Sequence, residues 1–389
     1  MKNISIIGGG IGGLTTALCF EKLGIEYTLY EKVNKLKTVG AGIWLSPNAL
    51  QVLEWINPSL LHSIQRSGNS FNKILLTNHK LQPIRDSSQD FVKDMFGYTT
   101  LAIHRGVLQK ILYSFINNKA NIQLNKGFES YFQNSDHSYT INFHDQSTQI
   151  TNVIIGADGI NSKVRQQIFP KSKLRYSGQT CWRGVADFEL DNNLVSAGFT
   201  LWGKKLQFGV SKLENGKTYW FAVMLSEPNL QENRETVKTK LIELFSQHHP
   251  IVTTLIQNTS ANKIIRGDLS DLEWMNKWHT NTICLIGDAA HAMTPDLGQG
   301  GAQAMEDAFY LSNLIHQSNA FDVAFNNFYN LRKTKVKKLV EQSRLTSKMA
   351  ITNKPLELLR NIILKYSPEK VLQKQMIETY TIDKTICGV

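Results

Sequence analysis

The sequence predicts an α/β protein, with a parallel sheet covered by helices, an interleaved β-sheet part and C-terminal helices. Three observations carry that prediction. An apolar strand-like run, Ile4–Ile7, passes through a glycine-rich turn into a helical pattern; alternating segments with turn residues between them fill the middle of the chain; helical periodicity closes it. At 389 residues the chain exceeds what one hydrophobic core usually supports, so two packed domains and a tail are expected. Residues 1–70, 98–175 and 275–320 form a discontinuous first domain, 71–97 and 176–274 a β-rich one, and 321–389 a helical region.

Each element follows from local pattern. Ile4–Ile7 is short, apolar and β-branched, as a strand buried on both faces requires. A helix spans 12–23, with Leu14, Ala17, Leu18 and Phe20 as its apolar positions and Gly24 placed to cap it. Residues 27–30 return as a strand, which completes a βαβ opening. Residues 98–115 read as a loop entering a helix with Leu108, Ile111, Leu112 and Phe115 on one face. Residues 120–156 read as a β-meander turning at Asn134-Ser135-Asp136 and Asp145-Gln146-Ser147, ending in the apolar strand 153–155. In the β-rich stretch 175–270, strands at 206–210 and 219–224 flank Asn215-Gly216, a strong hairpin turn. A buried strand at 282–286, a helix at 300–315 and further helices to about residue 375 complete the chain. Leu356, Leu359, Ile362, Ile363 and Tyr366 make an apolar stripe at helical spacing, expected to pack on the domain; a membrane-surface helix is the rarer use of such a stripe.

The formal net charge of +11 favours anionic partners. The basic residues are scattered, with no run of five or more, so nucleic acid is not expected as a partner. Cys19, Cys181, Cys284 and Cys387 lie far apart with no C-x-x-C spacing, which predicts reduced thiols, a cytoplasmic setting and no metal site. The stretch 4–20 is apolar, but Gly8, Gly9, Gly10, Gly12 and Gly13 make it a glycine-rich turn and not the core of a signal peptide. No segment reaches the length of a membrane span, so stable membrane insertion is not expected.

Three motifs carry chemistry. Gly8-x-Gly10-x-x-Gly13 follows a strand, opens a helix and is answered by Glu31 at the end of the second strand. In that context Gly8 permits the tight turn, Gly10 lets the backbone approach a pyrophosphate at a positive helix end, Gly13 allows close helix–strand packing, and Glu31 accepts from ribose hydroxyls. A plain tight βα turn is the simpler alternative. Gly287-Asp288 ends the strand at 282–286, where an acid reaches the crevice above a parallel sheet or merely caps a helix. Pro295-Asp296-Leu297-Gly298-Gln299-Gly300-Gly301 leads into a helix, presenting backbone N–H groups to negative charge such as the N1–C2=O region of a reduced flavin. Gly300 and Gly301 are expected to need angles or an approach that a Cβ would obstruct.

These segments resemble the class A flavoprotein monooxygenases, the family of salicylate hydroxylase, urate hydroxylase and zeaxanthin epoxidase. The family carries G-x-G-x-x-G, an internal D-G and a late G-D; the matching residues are Gly8 to Gly13, Asp158-Gly159 and Gly287-Asp288. Gly40-Ala41-Gly42, His104-Arg105 and Cys181-Trp182-Arg183-Gly184 also fall at the expected places, and the match spreads over residues 4–312. The resemblance implies a Rossmann-type, GR2-like FAD-binding domain with an interleaved β-sheet substrate domain. It implies bound FAD, with Glu31 at the adenosine ribose, Arg105 on the pyrophosphate side, and Asp288 at the ribityl chain or pyrophosphate. Pro295, Gly298, Gln299, Gly300 and Gly301 would border the isoalloxazine ring, and Asp158 would support the FAD and NAD(P)H region. Gly12, Lys32, next to Glu31, and Gly42 join the cofactor set.

NAD(P)H is implied as a transient co-substrate, since no second G-x-G-x-x-G occurs, and O2 and a small, aromatic or heteroaromatic molecule as substrates. The implied reaction inserts one oxygen atom through a flavin C4a-hydroperoxide. The protein would be a monomer or homodimer. Lys205, Gln207, Tyr219 and Phe221 could line the substrate pocket. In the urate-hydroxylase branch an Arg and a Tyr occupy matching strands; here Tyr219 remains and Lys205 replaces the Arg. Lys205 and Tyr219 are therefore the catalytic candidates, against the simpler readings of a solvated hairpin charge and a core tyrosine. His291 is expected to pack beside the Gly287-Asp288 turn. The competing functions are an FAD-dependent dehydrogenase or halogenase, the latter opposed by the missing W-x-W-x-I-P, and a non-catalytic flavin-binding protein.

Overall fold

In the computed structural model, which describes residues 3–36, 41–191, 194 and 196–387, Ile4–Ile7 lies inside a six-stranded sheet. The strand order is His279–Thr280, Ile283–Leu285, Val153–Gly156, Ile4–Ile7, Thr28–Tyr30, Ile122–Gln123. Ile4–Ile7 pairs in parallel with both neighbours, and only His279–Thr280 runs antiparallel. Both faces of Ile4–Ile7 are covered, which explains its unbroken apolar run. The helix Ile11–Leu23 ends at Gly24, whose left-handed φ of 67° lets the Ile25 amide reach back to the Phe20 carbonyl. It packs on the helix Gly300–Gln317, and a Cβ on Gly12 would stand 3.3 Å from that of Ala304.

A seven-stranded sheet stands apart from the first, in the order Ile265–Leu272, Leu174–Ala186, Thr218–Leu225, Leu206–Lys212, Ala197–Gly203, Lys73–Asn78, Pro83–Ser88. Its pairs are antiparallel except Ala197–Gly203 with Lys73–Asn78. Asn215 and Gly216 both have positive φ, as the tight turn between 206–212 and 218–225 demands. Side chains alternate across this sheet. Trp182, Phe208, Trp220 and Ala222 face the helices Val237–Leu244 and Pro250–Gln257, with Phe208 and Trp220 stacked 5.5 Å apart. Cys181, Tyr219, Phe221 and Val223 face the other way.

The meander is a separate three-stranded sheet, Phe128–Gln133, Tyr139–Phe143 and Thr148–Thr151. The C-terminal region is helical, with Phe321–Ala350, Lys354–Tyr366 and Glu369–Tyr380, so helix extends past residue 375. Two expectations are corrected. Part of the loop read at 98–115 is the strand Leu101–His104, paired with Gly42–Leu45 and Gly68–Ser70; its fully buried Leu101-Ala102-Ile103 was too short a run to declare itself. The stripe on Lys354–Tyr366 is not packed on the domain: all five of its side chains are exposed.

Candidate functional site

Parallel strands bring their carboxyl ends to one edge of the first sheet, and the motif residues collect there. Gly8, Gly9 and Gly10 follow Ile4–Ile7, Glu31 follows Thr28–Tyr30, Ala157 and Asp158 follow Val153–Gly156, and Gly287 and Asp288 come just after Ile283–Leu285. Gly8 has φ 108°, and a Cβ there would meet the Ala157 carbonyl oxygen at 2.5 Å. A Cβ on Gly13 would lie 1.9 Å from the Gly8 oxygen, so this turn closes only with glycine at both places. Gly10 precedes the helix and faces open space. The buried Glu31 carboxylate accepts from Gly9 N at 2.6 Å and Val33 N at 3.1 Å. Lys32 beside it is exposed.

Asp158 accepts from Val164 N at 3.2 Å through one oxygen, while its other oxygen is buried without a partner. Burial pushes this carboxyl up, against the hydrogen bond from Ser162. Arg105 is the exposed first residue of Arg105–Ser114. That helix docks on the glycine turn through Gln109, whose Nε2 donates to the Gly9 carbonyl at 2.7 Å. Asp288 is exposed, and its Oδ1 is 3.7 Å from where a Gly300 Cβ would stand, so the carboxylate faces the N-terminus of Gly300–Gln317. Pro295–Leu297 forms one 3-10 turn, closed by Gly298 at φ 63°. A Cβ on Gly301 would meet Ile43 Cδ1 at 2.9 Å, so that side-chain end must shift to admit it. Gly300 is less confined by the protein itself, a Cβ there meeting only Asp288 Oδ1 at 3.7 Å.

Behind this turn lies a buried polar network. Gln299 points into it, not outward: its amide donates to Ser46 Oγ at 2.8 Å and accepts from Asn48 at 3.2 Å. Asn48 also donates to Glu306. Arg332 donates to Glu306 at 2.5 Å and to Asp307 at 2.8 Å. Asp307 accepts from Gly287 N at 2.8 Å and lies 2.6 Å from His291 Nε2. Burial opposes the charge on Asp307, but His291 and Arg332 outweigh it and hold the carboxyl at about 2. His291 therefore sits beside the Gly287-Asp288 turn, as expected.

On the second sheet, Tyr219 is buried, its ring against the backbone of Gly42: a Cβ on Gly42 would lie 2.4 Å from Tyr219 Cγ. Gly40 lies outside the described residues. Burial pushes the Tyr219 hydroxyl up, while the nearby Arg183 guanidinium pulls it back. The candidate catalytic role of Lys205 on this face is corrected to the simpler reading, a solvated hairpin charge. With Lys204 it forms the tip of the hairpin between 197–203 and 206–212, exposed and at φ 63°. Arg183 supplies the cation instead, paired across the sheet with Phe221, and among the described residues no carboxylate lies within ion-pair distance of it. The signal was present, since Arg183 alternates with the core residue Trp182 and so shares the face of Tyr219. Asp296 was also passed over within its motif. Its Oδ2 is buried without a partner, and burial pushes the carboxyl up to about 6 against the hydrogen bonds of Thr294 and Ser347.

A family model described as "FAD binding domain" matches residues 1–320. The chain belongs to this family. It is 31% identical over 331 residues to the aurachin C monooxygenase/isomerase of Stigmatella aurantiaca, covering 85% of this chain and 84% of that one. It is 28% identical over 369 residues to the 2-heptyl-3-hydroxy-4(1H)-quinolone synthase of Pseudomonas aeruginosa, covering 94% of each. In fold it is similar to Klebsiella pneumoniae HpxO complexed with FAD and uric acid, at a TM-score of 0.88 and 24% identity over 97% of this chain and 96% of that one. The chain is an FAD-dependent monooxygenase, an oxidoreductase with NAD(P)H as co-substrate. The site fits FAD on its own terms. The glycine turn leaves open space at Gly10, Asp158 has a buried acceptor without a partner, and the exposed Asp288 faces a helix N-terminus. Among the described residues no helix is long and apolar enough to cross a membrane, and no cluster of three or more metal-ligating side chains occurs.

Proposed function

We propose that the chain hydroxylates a small heteroaromatic ring bearing a carbonyl or ionised hydroxyl oxygen, of the 4-quinolone kind, as a cytoplasmic monomer or homodimer. The observation that carries this reading is Arg183. It is a cation on the inner face of the β-rich sheet, without a carboxylate partner among the described residues and beside Tyr219. Such a guanidinium donates to an oxygen acceptor of a ligand, and Tyr219 and Phe221 give apolar ring surface on the same face. The quinolone named in the Pseudomonas relative is a molecule of this class.

In this reading Glu31 holds the adenosine ribose, Arg105 the pyrophosphate side and Asp288 the ribityl chain or pyrophosphate. Pro295 and Gly298 to Gly301 border the ring, and Asp158 supports the FAD and NAD(P)H region. Bound FAD carries two electrons from NAD(P)H to O2, so that one oxygen atom enters the substrate and the other leaves as water. The chain's own part is to orient and to exclude water. Arg183 and Tyr219 hold the substrate oxygen, and the packing of Tyr219 on Gly42, with the hydrogen bond from Trp44 Nε1 to Ser211 Oγ at 3.1 Å, ties the seven-stranded sheet to the small sheet of Gly42–Leu45.

The test is a panel of 2-alkyl-4-quinolones, urate and salicylate, scored by stimulated NAD(P)H oxidation and by product mass. A quinolone product one oxygen atom heavier is expected. Turnover of salicylate or urate with no quinolone product would overturn the substrate class.

A further inference from the structure

The helix Lys354–Tyr366 is turned inside out. Its outer face carries Leu356, Leu358, Leu359, Ile362, Ile363 and Tyr366, exposed by 58, 69, 54, 56, 55 and 73%. At about 100° per residue these positions fall within one stripe about 160° wide. The opposite face carries the polar groups. Arg360 is only 5% exposed; its guanidinium donates to the Met349 and Ala350 carbonyls at 2.9 and 3.2 Å and lies over the Trp202 ring at 5.2 Å. Glu357 faces the hairpin tip and accepts from Lys204 N at 3.4 Å. From the strand Pro83–Ser88, Arg85 donates to the carbonyls of Leu364 and Ser367 at 3.0 and 2.7 Å. The helix is therefore fixed with its apolar side toward solvent, the reverse of what burial alone would select.

We propose that this outer face docks in the plane of an anionic lipid bilayer. Charge selects this occupant. The chain carries +11, and exposed lysines rim the helix: Lys204 and Lys205 on the hairpin tip beside Glu357, Lys365 on the helix itself, Lys370 just beyond it. The nearby carboxylates are already engaged, Glu357 at the hairpin and Glu369 in an ion pair with Arg85 at 3.2 Å. An apolar stripe between lysines, with Tyr366 at its edge and Lys365 5.7 Å from that ring, matches the boundary between acyl chains and anionic headgroups. A second copy fits less well, because two such faces would oppose lysine to lysine within a strongly positive dimer. Since no helix among the described residues can span, the contact is peripheral.

The inner side of the helix rests on the sheet face that carries Phe221 and Val223, through Leu364. Docking would thus hold the proposed substrate wall at the lipid surface, a consequence that rests on the proposed function, whereas lipid binding itself does not.

The test is flotation of the FAD-loaded full chain with vesicles of phosphatidylcholine alone or mixed equally with phosphatidylglycerol. The chain should bind the mixed vesicles about tenfold or more better, and lose binding as salt rises. Leu359→Gln/Ile363→Gln should abolish binding with flavin absorbance and unfolding midpoint unchanged, and Lys204→Gln/Lys205→Gln should weaken it. Absence of binding to mixed vesicles, equal binding by the apolar double variant, or a solution dimer that this variant dissociates without any vesicle binding would each overturn the proposal. Since flotation needs no turnover, failure of the quinolone assignment leaves this test intact.

Discussion

Two helical regions of this enzyme break the rule of polar outside and apolar inside, in opposite directions. Behind the turn at 295–301, Gly300–Gln317 buries Glu306 and Asp307 completely, and Arg332 of Phe321–Ala350 meets them. On Lys354–Tyr366, leucines and isoleucines face solvent while Arg360 is buried. Both helices have ordinary periodicity, so periodicity says only that two faces differ. Which face turns inward is decided by partners elsewhere. Buried charges persist where each is met by an opposite charge and hydrogen bonds, and removing one partner leaves the other stranded. An apolar face persists in water because polar groups on its far side anchor the helix, and exposed surface contributes little to folding.

The largest expected effect therefore lies in the buried network. Arg332→Met should remove the cation that Glu306 and Asp307 share, leaving only Lys335 beside Glu306 and His291 beside Asp307, and lower stability by about 3–5 kcal/mol, read as a fall in the denaturant midpoint. A loss below about 1 kcal/mol would mean that the network is not a closed set of charges, and the comparison fails on that side.

Asp296 comes next, because it is buried without the partner that Asp307 has. Its folded-state carboxyl lies at about 6 against an ordinary 3.8, so the native state holds a proton that the unfolded chain has released. Its contribution to stability is thus full below about pH 4 and is lost as pH rises through 6. Asp296→Asn should match the parent enzyme near pH 4 and exceed it at pH 8, by on the order of 2–3 kcal/mol. A pH-independent difference would show that Asp296 is ionised in the native state.

At the mouth of the site, Asp288→Ala should keep the fold and lose FAD affinity about ten- to a hundredfold, from the roughly 1.5–3 kcal/mol of a charged hydrogen bond. Equilibrium flavin titration measures this, and full occupancy at low micromolar FAD would remove Asp288 from the cofactor set. The smallest effect belongs to the outer helix: Leu359→Gln/Ile363→Gln should shift folding stability by less than about 0.5 kcal/mol. A large destabilisation there would mean the stripe is packed after all.

Much of this was legible because it is local. Gly8, Gly13 and Gly24 announce their turns, Ile4–Ile7 its burial, and Asn215-Gly216 its hairpin. What was not legible depends on distant pairing. Lys205 was weighed as a site cation against a solvated hairpin charge, and only the left-handed turn that places it at the tip decides for the second. Arg183 was named in its motif without a role, since the face it takes is set by Trp182 entering the core. Gln299 was read as part of the turn bordering the ring; the inward set of its side chain depends on Ser46 and Asn48, some 250 residues earlier in the chain. The stripe on Lys354–Tyr366 was expected to pack, and only the carbonyls that Arg360 and Arg85 reach explain its outward turn.

The account turns on Arg183 and Tyr219 facing one substrate. The most direct measurement follows oxygenation of a 2-alkyl-4-quinolone under isotopically labelled O2, for the parent enzyme and Arg183→Met at matched FAD occupancy. The parent should place one labelled oxygen in the product. Arg183→Met should raise KM about tenfold or more, as loss of a charged hydrogen bond requires, and divert NAD(P)H oxidation to hydrogen peroxide. An Arg183→Met enzyme with parental KM and parental coupling would contradict the assignment of this face as the substrate wall.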